Sequence, residues 1–80
     1  MSTSNGPIPL DNLPVGHQAT IEAVAGGRGL VNRLATLGFI PGQRVDMVQN
    51  FGVGPLIVTV QNTRIALGRG EARKILVREG

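Results

Sequence analysis

A small, partly open β barrel carrying one short helix is the fold class that the sequence predicts, and three observations predict it. The chain has 80 residues, room for one domain. Its apolar residues recur at every second position in several short runs, and only one stretch shifts to helical spacing. Glycine-rich turns separate the runs closely, too closely for the crossovers that a parallel sheet needs. The expected inventory is mainly β: about five short strands, one inserted two-turn helix and a short C-terminal helical turn.

Residues 1–9 are small, polar and proline-containing, which predicts a disordered N-terminal tail before a domain spanning residues 10–80. Leu13-Pro14-Val15-Gly16 is a turn. Residues 18–25 alternate Ala19, Ile21 and Ala23 against Thr20, Glu22 and Val24, the period of a strand with one buried face. Gly26-Gly27-Arg28-Gly29 ends that strand, and Leu30, Leu34 and Leu37 then share one face of a helix. Gly38 is placed to take a left-handed cap, Phe39 to fold back onto Leu34, and Pro41 to forbid continuation. So short a helix is marginal alone, since isolated helices under about 12 residues do not persist, and it must pack on strands.

After Pro41-Gly42, residues 44–50 read as a strand with Val45 and Met47 on one face and Asp46 and Val48 on the other. Phe51-Gly52-Val53-Gly54-Pro55 is a glycine-rich reversal. Residues 56–61 form the most β-branched run and are expected to be the central strand, with Leu56, Val58 and Val60 inward. Gln61-Asn62-Thr63 makes a tight hairpin into residues 64–67, where Ile65 and Leu67 face the core. Residues 71–74 have the length of one helical turn, and residues 75–78 end the domain as a short strand. This pattern favours an SH3-like barrel first and an OB-like barrel second.

Composition excludes several kinds of chemistry. There is no Cys, hence no disulfide, thiolate zinc site or cysteine nucleophile. With two Phe and no Tyr or Trp, the core must be aliphatic and base-stacking platforms are missing. His17 is the only histidine, and no Ser lies beyond the first four residues, so no catalytic triad can be assembled and no enzyme is expected. As a metal ligand His17 has only Asp11 and Glu22 near it in sequence, at spacings that define no motif; neither a metal nor a cofactor is expected, and an exposed turn histidine is the plainer reading. The glycines before the helix lack the Gly-Lys-Ser or Gly-Lys-Thr ending of a nucleotide loop and read as a strand-to-helix turn.

Net charge is +3, with seven Arg and one Lys against five acids. Arg69, Arg73, Lys74 and Arg78 are close in sequence, but Glu71 and Glu79 interrupt them, which favours a solvated face or an acidic protein partner over nucleic acid. The polar stretch after Met1 is no secretory signal, and no purely aliphatic run, Leu56-Ile57-Val58 included, exceeds three residues or could span a bilayer, so a cytoplasmic location is expected.

Taken in order, Leu13-Pro14-Val15-Gly16, Arg33-Leu34-Ala35-Thr36-Leu37-Gly38-Phe39-Ile40-Pro41-Gly42, Gly54-Pro55-Leu56-Ile57-Val58-Thr59-Val60, Ile65-Ala66-Leu67 and Glu71-Ala72-Arg73-Lys74-Ile75 resemble the ferrous iron transport protein A (FeoA) family. The similarity runs from about Leu10 to Val77. It implies an SH3-like barrel with an inserted helix, cytoplasmic and non-catalytic, that binds and modulates the membrane ferrous iron transporter, protein B, which carries a GTP-binding domain. The same fold ends iron-dependent repressors, but the residues before Leu10 hold no DNA-binding helices, which favours a stand-alone module. One departure is Gly68, where the family commonly has a basic residue; Arg69 would have to substitute.

The expected partner-binding residues are Leu30, Leu34, Leu37 and Phe39 at the helix, Phe51 and Val53 at the glycine-rich reversal, and Arg69 and Arg73 in the basic stretch. Leu34 and Leu37 are also core candidates, because the helix needs that face to hold it. Alternatives are a nucleic-acid-binding small barrel, an iron-responsive regulatory module and an iron chaperone. An open barrel could also form homo-oligomers through an edge strand.

Overall fold

A computed structural model describes residues 6–79. Strands β1 (Ile8–Pro9), β2 (Gln18–Val24), β3 (Arg44–Gln49), β4 (Leu56–Val60), β5 (Thr63–Leu67) and β6 (Ile75–Glu79) form one antiparallel sheet in the order β1-β6-β2-β3-β4-β5. Helix α1 (Arg28–Thr36) enters between β2 and β3, and the single turn α2 (Arg69–Ala72) between β5 and β6. The molecule measures 38 × 23 × 23 Å.

The architecture is the mainly β barrel with one helix that the sequence predicts, with six strands in place of five. The addition is β1, where Ile8 and Pro9 pair with Val77 and Leu76. Of the expected tail, residues 1–5 lie outside the described residues, while Ile8–Pro9 belong to the sheet. Two residues are too few to show a strand period, and Pro9 is tolerated because the strand lies at the sheet edge. A 3-10 turn at Leu10–Asn12 follows, and Leu10 and Leu13 are both buried there. β4 lies between β3 and β5, one place in from the edge; the middle of the sheet is β2 and β3.

Fifteen hydrophobic residues form one continuous core, and among the described residues no polar or charged residue is buried. Ala19 and Ile21 of β2 point into it as expected, but Ala23 does not. The register against β6 shifts between Ile21 and Ala23, so a bulge turns Ala23 outward and lets Val24 pack on the core instead. The same device recurs where β3 meets β4, between Met47 and Gln49.

The end of α1 follows the capping chemistry read from the sequence. Gly38 has φ +105°, its N–H donates to the Ala35 carbonyl at 3.0 Å, and the Phe39 N–H donates to the Leu34 carbonyl at 2.9 Å. This is a Schellman motif, and its hydrophobic contact brings Phe39 back under the helix beside Leu34. Phe39 is 1% exposed and Leu34 0%. The expectation that Leu37 belongs to the core is corrected: Phe39 fills that position, and Leu37 is left 43% exposed at the C-cap.

Candidate functional site

The β3–β4 connection, residues 50–55, carries the two most exposed large apolar side chains of the described residues: Phe51 and Val53, each 76% exposed. Gly52 (φ +87°) and Gly54 (φ +75°) alternate with them, so the backbone bends in a conformation that only glycine takes at low cost. The loop's own large apolar side chains do not join the core. Its anchoring is polar.

Asn50 is the hub. Its side-chain amide donates to the carbonyls of Asp11 (3.0 Å) and Leu13 (3.1 Å), and its Oδ1 accepts from the Gly52 N–H at 3.1 Å. That last bond spans two residues, the geometry of an Asx turn. Arg69, the first residue of α2, reaches the same loop from the opposite side: Nε donates to the Gly54 carbonyl at 3.1 Å and Nη2 to Asn50 Oδ1 at 2.6 Å. The Asp11 carboxylate supplies the countercharge, 4.0 Å from Arg69 Nη1 and 3.8 Å from Arg73 Nε. The side chains of Arg69 and Asp11 are only 20% and 13% exposed, so this ionic contact is more shielded from water than the other ion pairs of the molecule. Val15, also exposed, lies on the turn that follows Leu13, and its neighbour Gly16 donates to the Met47 carbonyl at the same end of the barrel.

The structure places the expected contact residues in different surroundings. Phe51 and Val53 are exposed together on one loop tip. Leu34 and Phe39 are enclosed in the core, which removes both from any surface, and Leu30 packs partly against it. Leu37 is exposed with Ile40 near the Gln61–Asn62 turn, at the far end of the β3–β4 ribbon from Phe51. Arg69 is turned inward onto the loop and does not present a free cation, whereas Arg73 extends into solvent, 65% exposed, beside Asp11. In the sequence Asn50 carries no functional signal, and Asp11 is offered only as a neighbour of His17, not as part of this anchor. An Asn preceding Phe-Gly is a signal for an Asx turn, but the partners that Asn50 reaches are 37 and 39 residues away and leave no local mark.

Three further ion pairs form among the described residues. Arg33 of α1 meets Glu71 of α2, His17 meets Glu79, and Arg78 donates to Glu22 at 2.5 Å. The hydrogen bond from Arg78 holds the Glu22 carboxyl below its ordinary pKa of 4.5 and raises that of Arg78 in return. The basic stretch at the C-terminal end is thus met by carboxylates from earlier in the chain, Asp11 at Arg69 and Arg73 and Glu22 at Arg78. Among the described residues no three His, Asp or Glu gather where they could hold a metal ion. No helix of those residues is long and apolar enough to cross a membrane.

Fold and site together define a small SH3-like barrel whose distinctive feature is an exposed apolar loop on a polar anchor. The chain belongs to the FeoA family: the FeoA domain profile matches residues 8–79. It is 31% identical over 71 residues to a candidate Fe(2+) transport protein A of Methanocaldococcus jannaschii, covering 89% of this chain and 85% of that one. Among solved structures, Stenotrophomonas maltophilia FeoA, a prokaryotic SH3 domain protein determined with zinc, is 37% identical with TM-score 0.75, covering 85% of this chain and 86% of the other. A crystal structure of an iron uptake regulatory protein, FeoA, gives TM-score 0.88 at 27% identity over 92% of this chain and 99% of the other. A manganese-dependent transcriptional repressor, 17% identical, shares the fold across 38% of its own length. The family is one of non-catalytic accessory domains associated with ferrous iron transport.

Proposed function

We propose that this protein acts at the cytoplasmic face of the membrane as an accessory module of ferrous iron uptake, docking on the GTP-binding transporter, protein B, and modulating it. One observation carries the reading: Phe51 and Val53 stand 76% exposed on a loop whose backbone is tied down by Asn50 and Arg69. Exposed apolar side chains are individually unremarkable, but two on one anchored tip make a compact hydrophobic anchor of the kind that dominates interfaces. Arg73, exposed beside Asp11, adds a cation suited to an acidic rim on the partner.

The test is binding of the purified protein to detergent-solubilised full-length transporter, with and without a GTP analogue, at two salt concentrations. Saturable binding that Phe51→Ala weakens at least tenfold is the expected result. Rim charge adds a modest salt dependence, and Arg73→Gln removes it. Binding unaffected by Phe51→Ala would move the interface elsewhere, and no binding in any nucleotide state would remove the transporter as partner.

A further inference from the structure

The docking tip is built from residues that should make it floppy. It has two glycines at positive φ and two large apolar groups facing water. A loop of that composition normally samples many conformations, and ordering it would weigh against each binding event. Here the ordering is already done. The Gly52 N–H and the Gly54 carbonyl, the two backbone groups that bracket Val53, are both held by side chains: Asn50 Oδ1 takes the first and Arg69 Nε the second. Arg69 Nη2 then joins the two holders to each other. Asn50 is moored in turn to the Asp11 and Leu13 carbonyls, and hence to the turn that plugs the barrel end with Leu10 and Leu13.

We infer that Arg69 is a positioning residue: through its planar fork on Gly54 and Asn50 it fixes the Phe51–Val53 tip in the shape its partner accepts, a preformed apolar finger for an apolar recess. The inference rests on the docking reading given above. Three features support it. Arg69 is largely enclosed, so it is not itself the contact. A long, rotamer-rich side chain is immobilised on an exposed loop that adds nothing to the core, where a stability role alone would favour burial of something apolar. And the two bonds require a rigid fork with donors at fixed separation, which Arg has and Lys lacks. Because Arg69 opens α2 and Arg33 of α1 pairs with Glu71 in the same turn, the tip is connected through α2 to the helix.

The experiment measures backbone order at residues 51–54 in the free protein by amide NMR relaxation, and affinity for the solubilised transporter, for the parent chain, Arg69→Gln, Arg69→Lys, Arg73→Gln and Phe51→Ala. In the parent, order at the tip is expected near that of the strands, about 0.85, and in Arg69→Gln below about 0.6. Affinity falls about tenfold with it. Arg69→Lys keeps a cation beside Asp11, which protects the fold, yet loses the fork, so it shows the same loosening and the same fall. Arg73→Gln, which removes the other cation facing Asp11, leaves the tip ordered. A tip that is mobile in the parent, or that stays ordered in both Arg69 variants, overturns the inference. So does unchanged affinity in the Arg69 variants when Phe51→Ala abolishes binding, a result that leaves the docking reading standing. Binding insensitive to Phe51→Ala, or absent from the parent, overturns both.

Discussion

The two phenylalanines of this chain sit beside glycines at positive φ, and the fold treats them in opposite ways. Phe39 follows Gly38 and is 1% exposed; Phe51 precedes Gly52 and is 76% exposed. Side-chain chemistry cannot explain the difference, since it is the same. Backbone hydrogen bonding can. At Gly38 the reversal closes back on its own helix, with the Phe39 N–H reaching the Leu34 carbonyl, so the chain directs the ring under α1 and into the core. At Gly52 the reversal closes on a side chain, Asn50, whose other bonds face the barrel end, and the ring is left outside. Burial of an apolar residue in a loop is decided by what caps the loop.

The comparison breaks first if Phe39 is replaceable. Phe39→Ala removes the largest buried side chain and leaves a cavity under α1, a change that costs about 3–5 kcal/mol. Leu34→Ala, on the other side of the same contact, costs about 2–5 kcal/mol. For a domain of this size about 1 kcal/mol lowers the melting temperature by roughly 4–8 °C, so Phe39→Ala loses about 12 °C or more and Leu34→Ala about 8 °C or more, or the variant fails to fold, as a thermal melt followed by circular dichroism will show. Next in size is Gly38→Ala. An added Cβ meets the Gln61 and Val60 side chains at 3.5 Å, ordinary contact, so the cost is the backbone strain of φ +105° alone, about 1–2 kcal/mol. Its melting shift is expected to be well below that of Phe39→Ala.

On the exposed side, Phe51→Ala is expected to change stability by less than about 0.5 kcal/mol, the usual range for surface positions free of special backbone or buried groups. It should nevertheless weaken transporter binding at least tenfold. A melt and a binding isotherm on the same preparation check both halves. A large loss of stability in Phe51→Ala would mean that the ring packs on something, and the contrast between the two phenylalanines would collapse.

The contrast was partly legible in the sequence. Leu30-x-x-x-Leu34 followed by Gly38-Phe39 and Pro41 spells out a capped helix, because every determinant lies within about a dozen residues and each has one physical reading. The alternations of β3, β4 and β5 were equally plain. Three things were not. β1 is two residues long and includes Pro9, so it has no period, and only pairing with β6 makes it a strand. The bulge at Ile21–Ala23 comes from register against β6 and reverses an alternation that reads cleanly in one strand. The anchor of the tip joins Asp11, Asn50 and Arg69 across gaps of 39 and 19 residues, so composition offered Arg69 only as one cation in a basic stretch, and as a surface contact. The exposed tip was found because apolar residues in a glycine-rich loop have nothing local to bury them. The side chains that hold it were invisible because they are far away in the chain.

The smallest effect concerns the outer face of the sheet, away from both phenylalanines. Arg78 of β6 donates to Glu22 of β2, and this hydrogen bond lowers the Glu22 pKa below 4.5. A carboxyl whose folded pKa is depressed binds its proton more readily in the unfolded chain. Its contribution to stability is therefore fully present above the unfolded value and is lost as pH falls through the lower folded value. Both partners are solvent-exposed, so the contribution is small and screened by salt. Glu22→Gln should melt slightly below the parent at pH 7, and the gap should close as pH is lowered into the acid range and also at high salt. Taking the difference between the two proteins removes every other titrating group from the comparison. A gap that persists in acid would assign the loss to packing of the Glu22 stem against β6, and the pair would then count as contact instead of charge.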